Sequence, residues 1–534
     1  MKIAKAIGNS SGVAVSPIDA SATSRVGGVS VSSFAGLTIS KKGKPFEMLP
    51  VTAANVQDVL GTAYHPTDAF DAEPMRHLAD ALSASDGYVV RVVPTDAQYP
   101  VIEVHSAAGG ESKTKAAVQN APAFRNTSHA YGVEPTLSPE TYFVIYPSDG
   151  DPSINRSVSI GKPDAVTKDF IVTITNVDHL NAEYVEESHT VNFDPLATDD
   201  FGDSKYIVDV FAGQSNFEVV IGATASVDVD FSTLGAQKFV GGTNGTPANI
   251  SDAQLKKAAQ VVANFDGFYS AVLGMGFYTA EGAPTPSEMM QITDDRLIDG
   301  FFDLNPSLSY ADALSVATAS PINLSGVSLY HFPYLASDTY YSASKSRWGL
   351  SGMAYRAKVA GVNMGTGAVG GWHYAPAGEQ RAVIVRNSVS IAPNAGVPDF
   401  EAMYKARINK VDRSSGGFVM IDDSLTTYAA ENYLRLQHVN STMNAISRDF
   451  IDLANQVKHQ PDGITNDTLE YGMQVLFEGY VASGALVTPR NTADGESPFT
   501  YSITQTEIDL WEVQWSVCVT GTARRIVGRP ALLR

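Results

Sequence analysis

Apolar and polar positions along the chain change their spacing four times, and each change marks a different kind of structure. Val29, Val31 and Phe34 suggest a strand, and 53–60 reads as a short helix. Met75, Leu78, Ala79 and Leu82 recur at helical spacing within 71–84, and Tyr88 to Val93 is a compact apolar run stopped by Pro94. Helix and strand signals in alternation predict an α/β unit over 26–100. From 101 to 250 the pattern becomes short β-rich runs between turn residues: Thr141 to Tyr146, Ile171 to Ile174, Tyr206 to Phe211, Phe217 to Ile221 and Val227 to Phe231. No helical period stands out there, so the stretch reads as a β-rich insertion, with 242–250 as its return loop. Residues 251–376 resume α/β alternation, with helices expected near 252–264, 307–318 and 338–360 and a strand at Val327 to Phe332.

The clearest patterns follow 377. Leu436, Val439, Met443, Ile446, Phe450, Leu453 and Val457 are spaced three and four apart, one apolar stripe on a helix of roughly 30 residues. A sustained heptad also fits a coiled coil, but globular sequence on both sides favours a helix packed on its own domain. Leu469, Met473, Leu476 and Tyr480 predict a second helix, near 467–484, lying against it. Trp511, Val513, Trp515, Val517 and Val519 then alternate with Glu512, Gln514, Ser516, Cys518 and Thr520, the pattern of a half-buried strand.

Both ends lack such patterning. Val13, Val15 and Ile18 sit among Gly12, Ser16 and Pro17, and the last residues run Arg524-Arg525-Ile526-Val527-Gly528-Arg529-Pro530-Ala531-Leu532-Leu533-Arg534. Neither segment belongs to a core of its own, so 1–25 and 521–534 read as extended arms. The expected fold is therefore α+β and multidomain: an arm (1–25), a core in two parts (26–100 and 251–376), a protruding β-rich insertion (101–250), a C-terminal domain (377–520) and a second arm (521–534).

Composition narrows the function. In 534 residues, 44% hydrophobic and 18% charged side chains suit sizeable cores, and no apolar run is long enough for a bilayer span. The start turns polar by Asn9-Ser10-Ser11, so a signal-peptide core is not expected. Cys518 is the single cysteine, which excludes an intrachain disulfide and suits a reducing cytoplasm. A net charge of −20 argues against a nucleic-acid partner, whose phosphates need clustered Lys and Arg. The charge is uneven: 101–250 holds 8 basic and 20 acidic residues, whereas 381–534 holds 14 and 17. The insertion thus reads as a solvated outer surface, and the C-terminal part can meet a partner without strong repulsion.

Catalytic patterns occur and fail on context. Gly365-Thr366-Gly367-Ala368-Val369-Gly370 spells a dinucleotide fingerprint, but a helical pattern precedes it and Trp372 to Pro376 follows, so it reads as a loop. Ser342-Ala343-Ser344-Lys345 has no downstream partner motifs. Asp294, Asp295, Asp299 and Asp303 lack Ca²⁺-loop spacing and read as a solvated acidic stretch. The ten histidines form no metal-ligating pair, and Asn126, Asn155, Asn323 and Asn440 start sequons that matter only on secretion. No catalytic, cofactor or metal site is expected.

Three stretches in order carry a resemblance: Gly349-Leu-Ser-Gly-Met-Ala-Tyr-Arg356 with Trp372-His-Tyr-Ala-Pro-Ala-Gly378; Tyr404-Lys-Ala-Arg-Ile-Asn409 followed by Phe418 to Thr427; and Leu434-Arg435-Leu436-Gln437-His438 with Gly484-Ala485-Leu486. Together they resemble the contractile tail-sheath family, as in bacteriophage tails, over about 349–490. Asp423-Ser424-Leu425 departs from the family's Arg-Thr-Leu turn. The resemblance implies a structural, non-enzymatic subunit, made in a bacterial cytoplasm, that stacks as hexameric rings around a tail tube and contracts to drive the tube into a host. It implies as partners further copies of the chain, the tube protein, and baseplate and tail-terminator proteins. Nucleic acid and membrane insertion are not implied. Arms of one subunit would add strands to another, with Val13, Val15, Ile18, Ile526, Val527, Leu532 and Leu533 as the exchanging residues and Trp511 to Val519 as the platform. The basic group Lys405, Arg407, Lys410 and Arg413 reads either as facing an acidic tube or as an ordinary solvated helix face. The alternatives are the sheath of a tailocin or secretion system and, in another class, a receptor-binding or decoration protein working through 101–250.

Overall fold

The computed structural model describes residues 32–67, 74–106, 122–152, 155–177, 181–226, 232–342, 344–365 and 369–526. The expected exchange residues Val13, Val15, Ile18, Val527, Leu532 and Leu533, with Val29 and Val31, lie outside the described residues.

Two distant stretches of chain build one sheet. Its seven strands lie in the order Ile408–Asn409, Val327–Tyr330, Asp299–Asp303, Ala271–Leu273, Phe34–Thr38, Gly87–Arg91 and Met48–Val51. All neighbours are parallel except Met48–Val51, which pairs antiparallel at the edge. Parallel strands are covered on both faces, so they read as near-continuous apolar runs. Phe34–Thr38 and Asp299–Asp303 are buried at every position. Helices Pro74–Leu82, Asp252–Asn264, Ser287–Arg296, Tyr310–Ala319 and Ser351–Val362 accompany these strands. The Asp252–Asn264 helix starts at a full capping box between Ser251 and Gln254, which satisfies two end donors at once.

Between these halves, Gln98 to Lys238 form two four-stranded sheets. One is ordered Phe217–Ile221, Thr141–Pro147, Gln98–Ser106, Pro122–Ala130; the other Leu234–Lys238, Ser157–Ile160, Phe170–Val177, Glu183–Val191. Ile102, Phe143 and Ile145 of the first share a core with Val158, Val172 and Ile174 of the second. Arg91, 1% exposed, ties this unit to the large sheet by donating to the carbonyls of Ser40, Gly43 and Gly150 and to Asn244 Oδ1, at 2.6–3.1 Å. Gly150 is required there: its φ is +70°, and a Cβ would sit 2.1 Å from the Gly43 carbonyl oxygen.

Several expectations need correction. Tyr206 to Phe211, read as a strand, opens the helix Ile207–Gln214. Ile207 and Phe211, four apart, both enter the shared core, and a short apolar run does not by itself distinguish helix from strand. The helix expected over 338–360 is confined to Ser351–Val362, after strands Tyr334–Ser337 and Lys345–Arg347. Asp338 is held in a buried ion pair with Arg76 at 2.7 Å and turns the chain there. Val227 to Phe231 lies outside the described residues.

The long C-terminal helix is Gln437–Val457, 21 residues rather than about 30. His459 adopts φ +69° and Pro461 begins the next helix, Asp462–Ala482, so the axis cannot continue. Its stripe packs where expected, with Ile446, Phe450 and Leu453 meeting Met473, Phe477 and Tyr480. The other side is also buried, through Gln437, Asn440, Ser441, Thr442 and Asn444. Ser441 Oγ donates to Asp299 Oδ2 at 2.6 Å, and Tyr330 donates to Gln437 Oε1 at 3.2 Å, so this polar face lies against the large sheet.

Candidate assembly surface

The hairpin follows from the strict alternation at the end of the chain. Phe499–Glu507 pairs antiparallel with Leu510–Val517, matching Tyr501 with Trp515 and Ile503 with Val513. The inward residues rest on the helix pair: Trp515 lies 4.9 Å from Phe450, and Phe499 stacks 4.4 Å from Phe477, ring centre to ring centre. Val513, Val517 and Val519 join this cluster, whereas Trp511 sits opposite Gln505 and outside it.

Two features separate this element from the rest of the molecule. No residue from 487 to 526 is fully buried, although Trp515, Val513, Val517, Val519 and Ile503 line one face of the stretch. Among the described residues, no third strand lengthens this two-stranded sheet; only a bridge from Leu486 to Val519 touches its end. An open edge beside a half-covered aromatic face is a template for another chain.

The expected site residues fare differently. Ile526 is 85% exposed at the end of the described chain. Lys405 is exposed beside Glu401, 3.5 Å away, and Arg413 is exposed. Lys410 is committed to Asp422 at 2.7 Å and Asp412 at 3.1 Å. Arg407, at φ +62°, spends its guanidinium on the carbonyls of Thr427 and Ile322. Lys410 is thus neutralised within the chain and the Arg407 guanidinium is turned to the backbone, which leaves Lys405 and Arg413 as the exposed members. The sequence reading also missed that residues after 520 remain attached: Arg524 binds Asp423 in a bidentate pair at 2.6 and 2.7 Å. Asp423 lies in the turn whose departure from the family pattern was the only signal.

The acidic stretch is a correction. Asp299 and Asp303 are 3% and 2% exposed, not solvated, because they begin and end a buried strand. Asp303 Oδ2 accepts from Tyr278 at 2.9 Å and from the Leu350 amide at 3.2 Å, and burial raises its carboxyl to about 7. Nearby, Ser351 Oγ lies 2.8 Å from His77 Nδ1, while burial and two arginines lower His77 to about 3. Serine, histidine and aspartate are together, but Asp303 orients Tyr278 rather than the imidazole. All three are sealed from solvent, so the trio is a polar cluster of the core. Lys358 is likewise buried, lowered to about 8 by desolvation, and donates to the Trp372 carbonyl at 2.7 Å. Thr366 to Ala368 of the glycine-rich segment, and Ser344's neighbour Ala343, lie outside the described residues. Among the described residues no three His, Cys, Asp or Glu side chains converge as a metal site, and no helix is long and apolar enough to cross a membrane.

Set against solved structures, the chain matches the sheath tail protein Lin1278 from Listeria innocua with a TM-score of 0.50, over 92% of this chain and 96% of that one. The fold is that of a contractile tail sheath. Sequence identity to Lin1278 is 9%, so the likeness is one of fold. The sheath tail protein DSY3957 from Desulfitobacterium hafniense aligns over 95% and 97% of the two chains at 13% identity and a TM-score of 0.43. The helical sheath of the anti-feeding prophage in its contracted state aligns over 98% and 99% at 10% and 0.46. No family model and no curated protein matches the chain by sequence.

Proposed function

We propose that this chain is the polymerising sheath subunit of a contractile, tail-like particle, stacking as rings around an inner tube and shortening to drive that tube through a target envelope. One observation carries the reading beyond the fold: the hairpin from Phe499 to Val517 has an open edge and an incompletely covered aromatic face. The ends of the chain, 1–25 and 525–534, are the proposed occupants of the neighbouring copies' hairpins. Such contacts are head-to-tail and build helical polymers rather than closed dimers. Backbone hydrogen bonds would supply affinity and alternate side chains the register. Partners proposed on the same grounds are the tube protein, a baseplate and a terminator. The tube-facing candidates are Lys405 and Arg413, the two exposed members of the basic group. Phage tail, tailocin and secretion apparatus use the same subunit logic, and a phage virion is the reading we favour.

Negative-stain electron microscopy of the full chain over a concentration series tests this. Hollow tubes or stacked six-fold rings are expected. Compact particles of one size at every concentration and salt would overturn it and favour a receptor-binding role for the β-rich unit. Removing residues 1–20, or ending the chain after Ile526, is expected to leave a cooperatively melting chain that no longer polymerises.

A further inference from the structure

The end of the described chain is pinned at two separated points. Thr520 donates its N–H to the Ala485 carbonyl at 2.9 Å, and its own carbonyl lies 3.2 Å from His438 Nε2, which must therefore carry the proton. Four residues later, Arg524 Nε and Nη2 donate to the two carboxylate oxygens of Asp423, and its guanidinium carbon sits 4.6 Å from the Tyr404 ring centre. Arg435 lies 4.4 Å from the same ring. The Asp423 side chain is 6% exposed and that of Arg524 28%, so a buried carboxylate holds a half-accessible guanidinium. Between the two points the backbone makes one local bond, from Arg524 N–H to the Thr522 carbonyl at 3.0 Å. A planar fork on two carboxylate oxygens over an aromatic face selects arginine over lysine.

We propose that Asp423 and Tyr404 form an arginine-recognition site that holds the chain's own Arg524 as a releasable anchor and so sets the free length of the C-terminal tail. While the site is occupied, the chain is fixed as far as Arg524; when it empties, the last fixed point is Thr520. The four residues gained lengthen the reach by about 13 Å, at roughly 3.3 Å per extended residue. The guanidinium is the accessible partner of the pair, so release proceeds from its side, where water and salt compete for it. Its use as slack between copies that change their spacing rests on the sheath reading; the anchor itself does not.

Hydrogen exchange followed by mass spectrometry on the full chain tests it. In Asp423→Asn and in Arg524→Lys, the Arg524 amide, bonded to the Thr522 carbonyl, is expected to exchange about tenfold faster or more, with the 499–517 hairpin unchanged. The charge-swapped pair Asp423→Arg with Arg524→Asp is expected to recover part of the protection. Unchanged exchange in every variant would overturn the anchor, and so would faster exchange throughout the hairpin, which would make the contact plain structural support. Electron microscopy of the same samples separates the two readings: wild-type chains that never polymerise sink the sheath reading and leave the exchange result standing.

Discussion

Asp303→Asn is the substitution whose outcome the structure fixes most closely. Burial raises the Asp303 carboxyl from 3.8 to about 7, and the hydrogen bonds from Tyr278, Leu350 and Ser351 that favour its charged form do not offset it. The folded pKa exceeds the unfolded one, so the stability this group contributes is present in acid and is lost as pH rises from about 4 to about 7. At pH 8 the folded state carries an ionised carboxylate that cost about three pKa units to bury, or about 4 kcal/mol at 1.4 kcal/mol per unit. Asparagine keeps an acceptor for Tyr278 and Leu350 and carries no charge. The variant is therefore expected to be more stable than the parent by about 4 kcal/mol at pH 8, by about 2 at pH 5, and by less than about 1 at pH 4. Thermal melting followed by tryptophan fluorescence is a suitable assay, since Trp348 is buried one residue from Gly349, which abuts Asp303. A variant less stable than the parent at pH 8, or one shifted equally at pH 4 and pH 8, would refute the reasoning.

Buried neutral histidines act with the opposite sign. His331 is 1% exposed, and burial lowers it to about 4, so its contribution is present above about 6.5 and is lost as pH falls. His331→Leu is expected to flatten the acid side of the melting profile by about 2 kcal/mol at pH 5; an unchanged slope would count against this assignment. Arg91→Ala leaves three carbonyls and Asn244 without their donor and is expected to cost about 3 kcal/mol or more, with new protease cutting near 242–250 as the direct readout. Lys405→Glu with Arg413→Glu changes only exposed side chains, so melting should stay within about 0.5 kcal/mol while sedimentation with the inner tube weakens; full tube binding would remove both from the proposed tube face.

The sequence by itself determined local character. Strict alternation from Trp511 to Val519 specified a half-covered strand, the stripe from Leu436 to Val457 specified a helix with a partner, and the apolar run Tyr88 to Val93 specified a compact buried strand. Those patterns are legible because period and burial coincide within a few residues. The fold decided everything that depends on residues far apart in the chain. Phe34–Thr38 and Ala271–Leu273 are neighbours in one sheet although more than 200 residues separate them, and no local period encodes that pairing. The polar side of Gln437–Val457 is buried because the large sheet covers it, which the spacing of the apolar stripe does not encode. Asp299 and Asp303 looked solvated because charge alone was visible, whereas their burial depends on Ser441, Tyr278 and Leu350 arriving from other elements. Arg524 looked like part of a loose tail; its partner Asp423 lies 101 residues earlier, and only tertiary structure brings the guanidinium to its carboxylate.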